Sequence, residues 1–83
     1  MATKIQREIA WQNTPKVRGK NPNLYRRDVF GNEIYKPAYG THGEKSWEID
    51  HSNPKSRGGT DSPRNLQAMQ TYANRSKKDK YPY

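Results

Sequence analysis

The sequence predicts a small α+β domain: a ββα unit over residues 47–80, preceded by a β-hairpin and by an N-terminal short helix or arm. Three observations lead there. Residues 47–50 (WEID) and 66–69 (LQAM) each alternate apolar and polar side chains, the pattern of a half-buried strand. Between them, Pro54, Gly58, Gly59 and Pro63 punctuate a loop. After them, residues 72–79 have helical composition, with Thr71 as N-cap and Pro82 forbidding continuation.

Thr3 and Gln6 stand at capping-box spacing ahead of Ile5 and Ile9, which lie four apart on one face, so residues 3–11 read as a short helix. The Pro- and Gly-punctuated stretch 14–23 reads as an extended arm, and Trp11 before it suits core or surface equally. The domain division expected is therefore 1–23 as helix and arm and 24–83 as the folded domain. Two short runs, 28–30 and 33–35, flank Gly31-Asn32, and a glycine at the first central position suits a type II′ hairpin turn. Residues 36–46 form a loop in which His42 is solvent-exposed. The strand at 47–50 ends at His51 and pairs with 66–69, so Trp47, Ile49, Leu66 and Met69 belong to the core.

Composition limits what this domain can be. Only nine of 83 residues are Leu, Ile, Val or Phe, and the net charge is +8, a mix that leans toward disorder unless the two Trp and six Tyr build the core. The longest apolar run is three residues, 9–11, which excludes a membrane span, and the first ten residues hold no secretory h-region. With no cysteine, disulfides, a thiolate zinc site and thiol catalysis are excluded, and the expected location is the cytoplasm. A pI near 9.9 predicts attraction to polyanions.

Four residues of the ββα unit form a chemical constellation: Asp50, His51, Asn65 and Asn74. Asp50 and His51 are adjacent at a strand end, so their side chains start on opposite faces, one able to hold a metal while the other meets a substrate. If the last helix packs across both strands, the Asn74 amide oxygen meets the Asp50 carboxylate. One carboxylate and one carbonyl oxygen are hard ligands, suited to a single Mg²⁺ or Mn²⁺ ion. An imidazole such as that of His51 can take a proton from water near neutral pH.

The string WEIDHSNPKSRGGTDSPRNLQAMQTYANRSKKDK resembles the motif of the HNH endonucleases, or ββα-metal nucleases, in its Asp-His pair, its Gly58-Gly59 turn, Asn65-Leu66, and Asn74-Arg75 with Lys77. The upstream YRRDVFGNEIYKPAYG resembles the segment before the motif in small bacterial and phage members. The resemblance implies a phosphodiester hydrolase in which Asp50 and Asn74 bind the metal and His51 is the general base. Asn65 would bond backbone in the loop and so hold His51 in orientation. The implied products carry a 5′-phosphate and a 3′-hydroxyl. This chain departs from many family members in lacking a four-Cys zinc knuckle, so its brace is expected from the hairpin, the aromatic residues or a partner protein. It also carries Asn74 where others carry His.

Arg57 in the loop and Arg75, Lys77, Lys78 and Lys80 on the last helix flank the constellation and are expected to contact phosphates, with Arg26 and Arg27 extending the track along the hairpin. Such contacts are common to DNA and RNA. DNA duplex is the expected partner, with no membrane, and nothing in the sequence reads base edges. A monomer or weak dimer of this size would nick one strand, alone or within a larger phage or nuclease complex. The competing reading is a non-catalytic basic module that binds nucleic acid through the same surface.

Overall fold

The computed structural model describes residues 2–77. Helix α1 (Lys4–Gln12) opens with the expected capping box. The Thr3 hydroxyl accepts the Gln6 amide N–H at 3.1 Å and the Gln6 side chain accepts the Thr3 N–H at 2.9 Å, satisfying two donors that helical geometry leaves orphaned. Its buried face differs from the one the isoleucines mark. Ile5 is 73 % exposed, whereas Ala10 and Trp11 are fully buried. Trp11 takes the interior because an indole brings far more apolar surface than an isoleucine and can still satisfy its N–H there.

That N–H explains why the following segment packs. The Trp11 indole donates to the Pro22 carbonyl at 2.9 Å. The Thr14 hydroxyl, also buried, donates to the Ala10 carbonyl at 2.8 Å and accepts the Ala68 amide at 2.9 Å. Lys16 forms an antiparallel bridge with Arg26, and the Arg27 N–H donates to the Pro15 carbonyl. Residues 14–23 are thus stitched onto the rest of the chain, and residues before and after position 23 share one core.

Strands β1 (Tyr25–Arg27) and β2 (Glu33–Tyr35) form an antiparallel hairpin with Arg26 opposite Ile34; the second strand lies where expected, but the first is 25–27 rather than 28–30. Its turn is longer than the Gly31-Asn32 pair predicts. The ladder stops at Arg27 because the Asp28 carboxylate accepts the backbone N–H groups of Phe30 and Asn32 at 3.0 and 2.8 Å, and the Asn32 side chain at 3.2 Å. A side chain that bonds its own downstream amides offers the backbone an alternative to further pairing. Gly31 completes the turn at φ +88°. The second Asp28 oxygen accepts the Gln70 N–H at 3.0 Å and fastens the hairpin to the other sheet.

That sheet is β3 (Trp47–His51) paired antiparallel with β4 (Leu66–Gln70), with Asp50 opposite Gln67 and His51 opposite Leu66. β4 runs without a linker into helix α2 (Thr71–Lys77); residues 78 and 79, the end of the helix expected from sequence, lie outside the described residues. Thr71 is not the cap that its position suggests. Its hydroxyl is fully buried and accepts a hydrogen bond from Ser46 at 2.8 Å, while the Gln70 side-chain oxygen accepts the Ala73 N–H at 3.3 Å.

Trp11, Ile34, Trp47 and Ala68 form the core between the two sheets, with Tyr39 and Ile49 packed against them. Leu66 and Met69 are buried as the alternation predicts. The two indoles meet at 5.1 Å between ring centroids, and Tyr39 stands edge-on to Trp47 at 4.9 Å. The Trp47 N–H donates to the Lys36 carbonyl at 3.0 Å. Among the described residues no helix is long and apolar enough to cross a membrane.

Replacing Trp11 by Ala therefore removes a central core group and the anchor of residues 14–23. The expected cost is about 3–5 kcal/mol, enough to unfold most of a domain this small at room temperature. Near-ultraviolet circular dichroism and urea titration of the full chain check it.

Candidate active site

Strand β3 carries three polar side chains, Glu48, Asp50 and His51, and the structure gives each different partners. Asp50 is 5 % exposed and turned inward. Both of its oxygens lie 2.9 Å from the Lys77 ammonium, and one also accepts from the Gln67 side chain, its cross-strand neighbour, at 2.8 Å. Lys77, whose side chain is wholly buried, donates its third hydrogen to the His51 carbonyl at 2.9 Å. All three ammonium donors are matched, the condition under which a buried ion pair is tolerated.

Asn74 does not reach Asp50. Its amide N–H donates to Glu48 at 3.0 Å, and Arg75 reaches the other Glu48 oxygen at 3.4 Å. Lys77 lies three residues beyond Asn74 on the same helix, and its long stem brings a compensating charge to the buried carboxylate that a neutral amide would leave uncompensated. The Asp50–Asn74 contact expected from the helix crossing is thus replaced by two separate pairs, Asp50 with Lys77 and Glu48 with Asn74.

His51 is held by the long loop between the strands. Its Nε2 lies 2.8 Å from Asp61, whose other oxygen meets Lys55 at 3.1 Å. These hydrogen bonds, that of His51 foremost, hold the Asp61 carboxyl below the usual carboxylate range. The loop returns to the strand end by a sharp fold. Gly58 adopts φ +89°, and a Cβ on Gly59 would lie 1.6 Å from the Asn53 carbonyl oxygen, so only glycine fits there. Asn65 locks this fold with three bonds: its oxygen accepts the Asn53 N–H at 2.7 Å, and its amide donates to the Asn53 and Thr60 carbonyls at 3.0 and 2.7 Å.

Glu48, His51, Asp61, Lys55 and Asn74 line one open cavity of about 490 Å³, with Gln6 of α1 on its rim. Two of the four constellation residues, His51 and Asn74, face this space; Asn65 stands behind it in the loop, and Asp50 lies beneath it on Lys77. Glu48 and Asp61 are additions that sequence reasoning passed over. Glu48 carries a weak signal, lying two residues before Asp50 on the same strand. Asp61 carries none, because nothing local shows that the glycine turn returns it to His51.

The basic residues divide by burial. Arg27, Arg57 and Arg75 are exposed. Arg26, expected on a phosphate track, is instead 3 % exposed and donates to the Pro22 and Thr14 carbonyls at 2.8 and 2.9 Å. Lys77 is likewise unavailable to a phosphate, since its ammonium is committed to Asp50 and His51. Lys78 and Lys80 lie outside the described residues.

A family model described as HNH endonuclease matches residues 30–83, well over half of the chain. No curated protein and no solved structure matches the chain at a significant level.

Because the Asp50–Lys77 pair is buried, losing one partner leaves an uncompensated charge. Lys77→Met is expected to destabilise the fold by about 3–5 kcal/mol, and Asp50→Asn combined with it by less than the sum of the two single changes. Urea unfolding of the single and double variants measures both.

Proposed function

The chain belongs to the HNH endonuclease family, nucleases that hydrolyse nucleic acids, and we propose that it is a metal-dependent endonuclease that nicks DNA with little sequence preference. His51 is the general base and one divalent cation, Mg²⁺ or Mn²⁺, assists it. The observation that supports this reading is the arrangement around the cavity: an imidazole tethered through Nε2, beside hard oxygen donors, with Asn65 bracing the loop that holds it.

In the proposed step His51 takes a proton from a water molecule whose oxygen bonds to phosphorus. The bond to the 3′ oxygen breaks, that oxygen leaving with the electron pair and then taking a proton, which yields 5′-phosphate and 3′-hydroxyl ends. A positioned general base contributes roughly 10²–10⁴-fold to such a rate. Asp50 offers a carboxylate and Asn74 an amide carbonyl, both hard donors. In this structure they do not converge: Asp50 is buried on Lys77 and Asn74 is bonded to Glu48, and the described residues form no ready cluster of metal ligands. Asp50 and Asn74 would hold the ion only with the Lys77 ammonium displaced from Asp50 and Asn74 released from Glu48. When bound, the cation supplies stabilisation for the charge that grows on the phosphoryl and leaving oxygens.

Arg27, Arg57 and Arg75, with Lys78 and Lys80, are the proposed phosphate contacts. They act without reading base edges, which is why low sequence preference is part of the proposal. Each contact on duplex DNA adds about 0.9 to the slope of log K against log salt. Arg75→Ala is accordingly expected to flatten that slope by about this amount in a salt series of gel-shift measurements.

The deciding experiment is nicking of supercoiled plasmid by wild type and His51→Ala with Mg²⁺, with Mn²⁺ and with EDTA. Metal-dependent nicking by wild type alone is expected. Retained DNA binding with no nicking by either protein would overturn the catalytic reading in favour of a basic binding module.

A further inference from the structure

We propose that Asp61 is the positioning residue for His51: its carboxylate fixes the imidazole in the Nε2–H tautomer and leaves Nδ1 free to accept the proton of the attacking water. This inference rests on His51 being the general base and adds what sets that base in its working form.

A neutral imidazole carries one N–H and one lone pair, and only the lone pair can serve as base. An ionised carboxylate accepts hydrogen bonds and donates none. The 2.8 Å contact between His51 Nε2 and Asp61 therefore requires the hydrogen on Nε2, which assigns the lone pair to Nδ1. The Lys55 ammonium at 3.1 Å from the second Asp61 oxygen favours the ionised carboxylate this requires.

The loop is built to deliver Asp61 to this place. Asn65 grips the carbonyl of Thr60, the residue immediately before Asp61, at 2.7 Å. The same amide group grips Asn53 near the strand end, so the two ends of the loop are clamped to one side chain. Gly59 allows the approach by lacking a Cβ that would otherwise strike the Asn53 carbonyl. Asn65 thus acts on His51 through Thr60 and Asp61, a relay of backbone and carboxylate. Since Asp61 is half-exposed, its field on the imidazole is screened by water, and its effect is chiefly on tautomer and ring orientation.

Nitrogen NMR of the full-length chain without DNA, at alkaline pH, reads the His51 tautomer directly, and plasmid nicking with Mn²⁺ separates kcat from KM. Wild type is expected to show protonated Nε2 and unprotonated Nδ1. Asp61→Ala is expected to show a mixture of tautomers, with kcat lower by roughly ten- to a hundredfold and KM unchanged, the pattern of losing an orienting carboxylate. Asp61→Asn keeps the side-chain volume and guards against loss of the fold; it too is expected to mix the tautomers, because an amide can donate to Nε2 as well as accept from it.

An unchanged tautomer in both variants, or full kcat in Asp61→Ala while His51→Ala is inactive, would overturn the role of Asp61 and leave the base assignment standing. Full nicking by His51→Ala would overturn the base assignment itself, and this inference with it.

Discussion

The contact between Trp11 and Trp47 is the joint on which the remaining architecture depends. A chain with nine Leu, Ile, Val and Phe residues cannot close an aliphatic core between two small sheets, so two indoles fill the space. Each indole also commits a distant backbone segment, because a buried N–H must find an acceptor. Trp11 draws in Pro22 and Trp47 draws in Lys36. The first bond ties the N-terminal segment to the domain, and the second sets the connection that enters β3. The placement of His51 at the far end of β3 follows from where Trp47 sits at its start.

Around that joint, polar side chains replace the apolar contacts the composition lacks. Asp28 fastens hairpin to sheet, Thr14 fastens α1 to β4, Ser46 and Thr71 fasten the start of β3 to α2, and Lys77 fastens the end of α2 to the end of β3. No buried side-chain nitrogen or oxygen among the described residues lacks a partner. Such bonds are directional where apolar packing is not, so a small domain built this way holds its few functional atoms at defined spacings.

The strand–loop–strand–helix order, the capping box and the presence of a hairpin closing at Gly31 are legible in the sequence, since each rests on local chemistry: alternation, turn residues, a hydroxyl three residues before a glutamine. The bracing role of Asn65 comes only from the family resemblance. What escaped is what depends on the fold. Ile5 and Ile9 mark a plausible apolar face, but nothing local says that Trp11 outranks Ile5 for the interior. Arg26 and Lys77 look like members of a basic surface until burial makes them partners of carbonyls and a carboxylate. Asn74 lies on the expected last helix, yet its bond to Glu48 rather than the expected Asp50 is decided by which side chain can neutralise a buried charge. Asp61 was invisible because its link to His51 passes through a turn whose shape one sequence does not state.

The close approach of Gly59 to Asn53 has a bearing on how this domain can vary. The stretch from β3 to β4 is clamped by Asn65 to Asn53 and Thr60 and creased at Gly59, a position that admits no side chain, so its length and that glycine are constrained even where its side chains are exposed. Adaptation to new substrates has to come from elsewhere on the cavity rim. Residues 41–45 between β2 and β3 and residues 3–5 at the start of α1 have exposed side chains, and diversity can accumulate there while the clamped loop stays fixed.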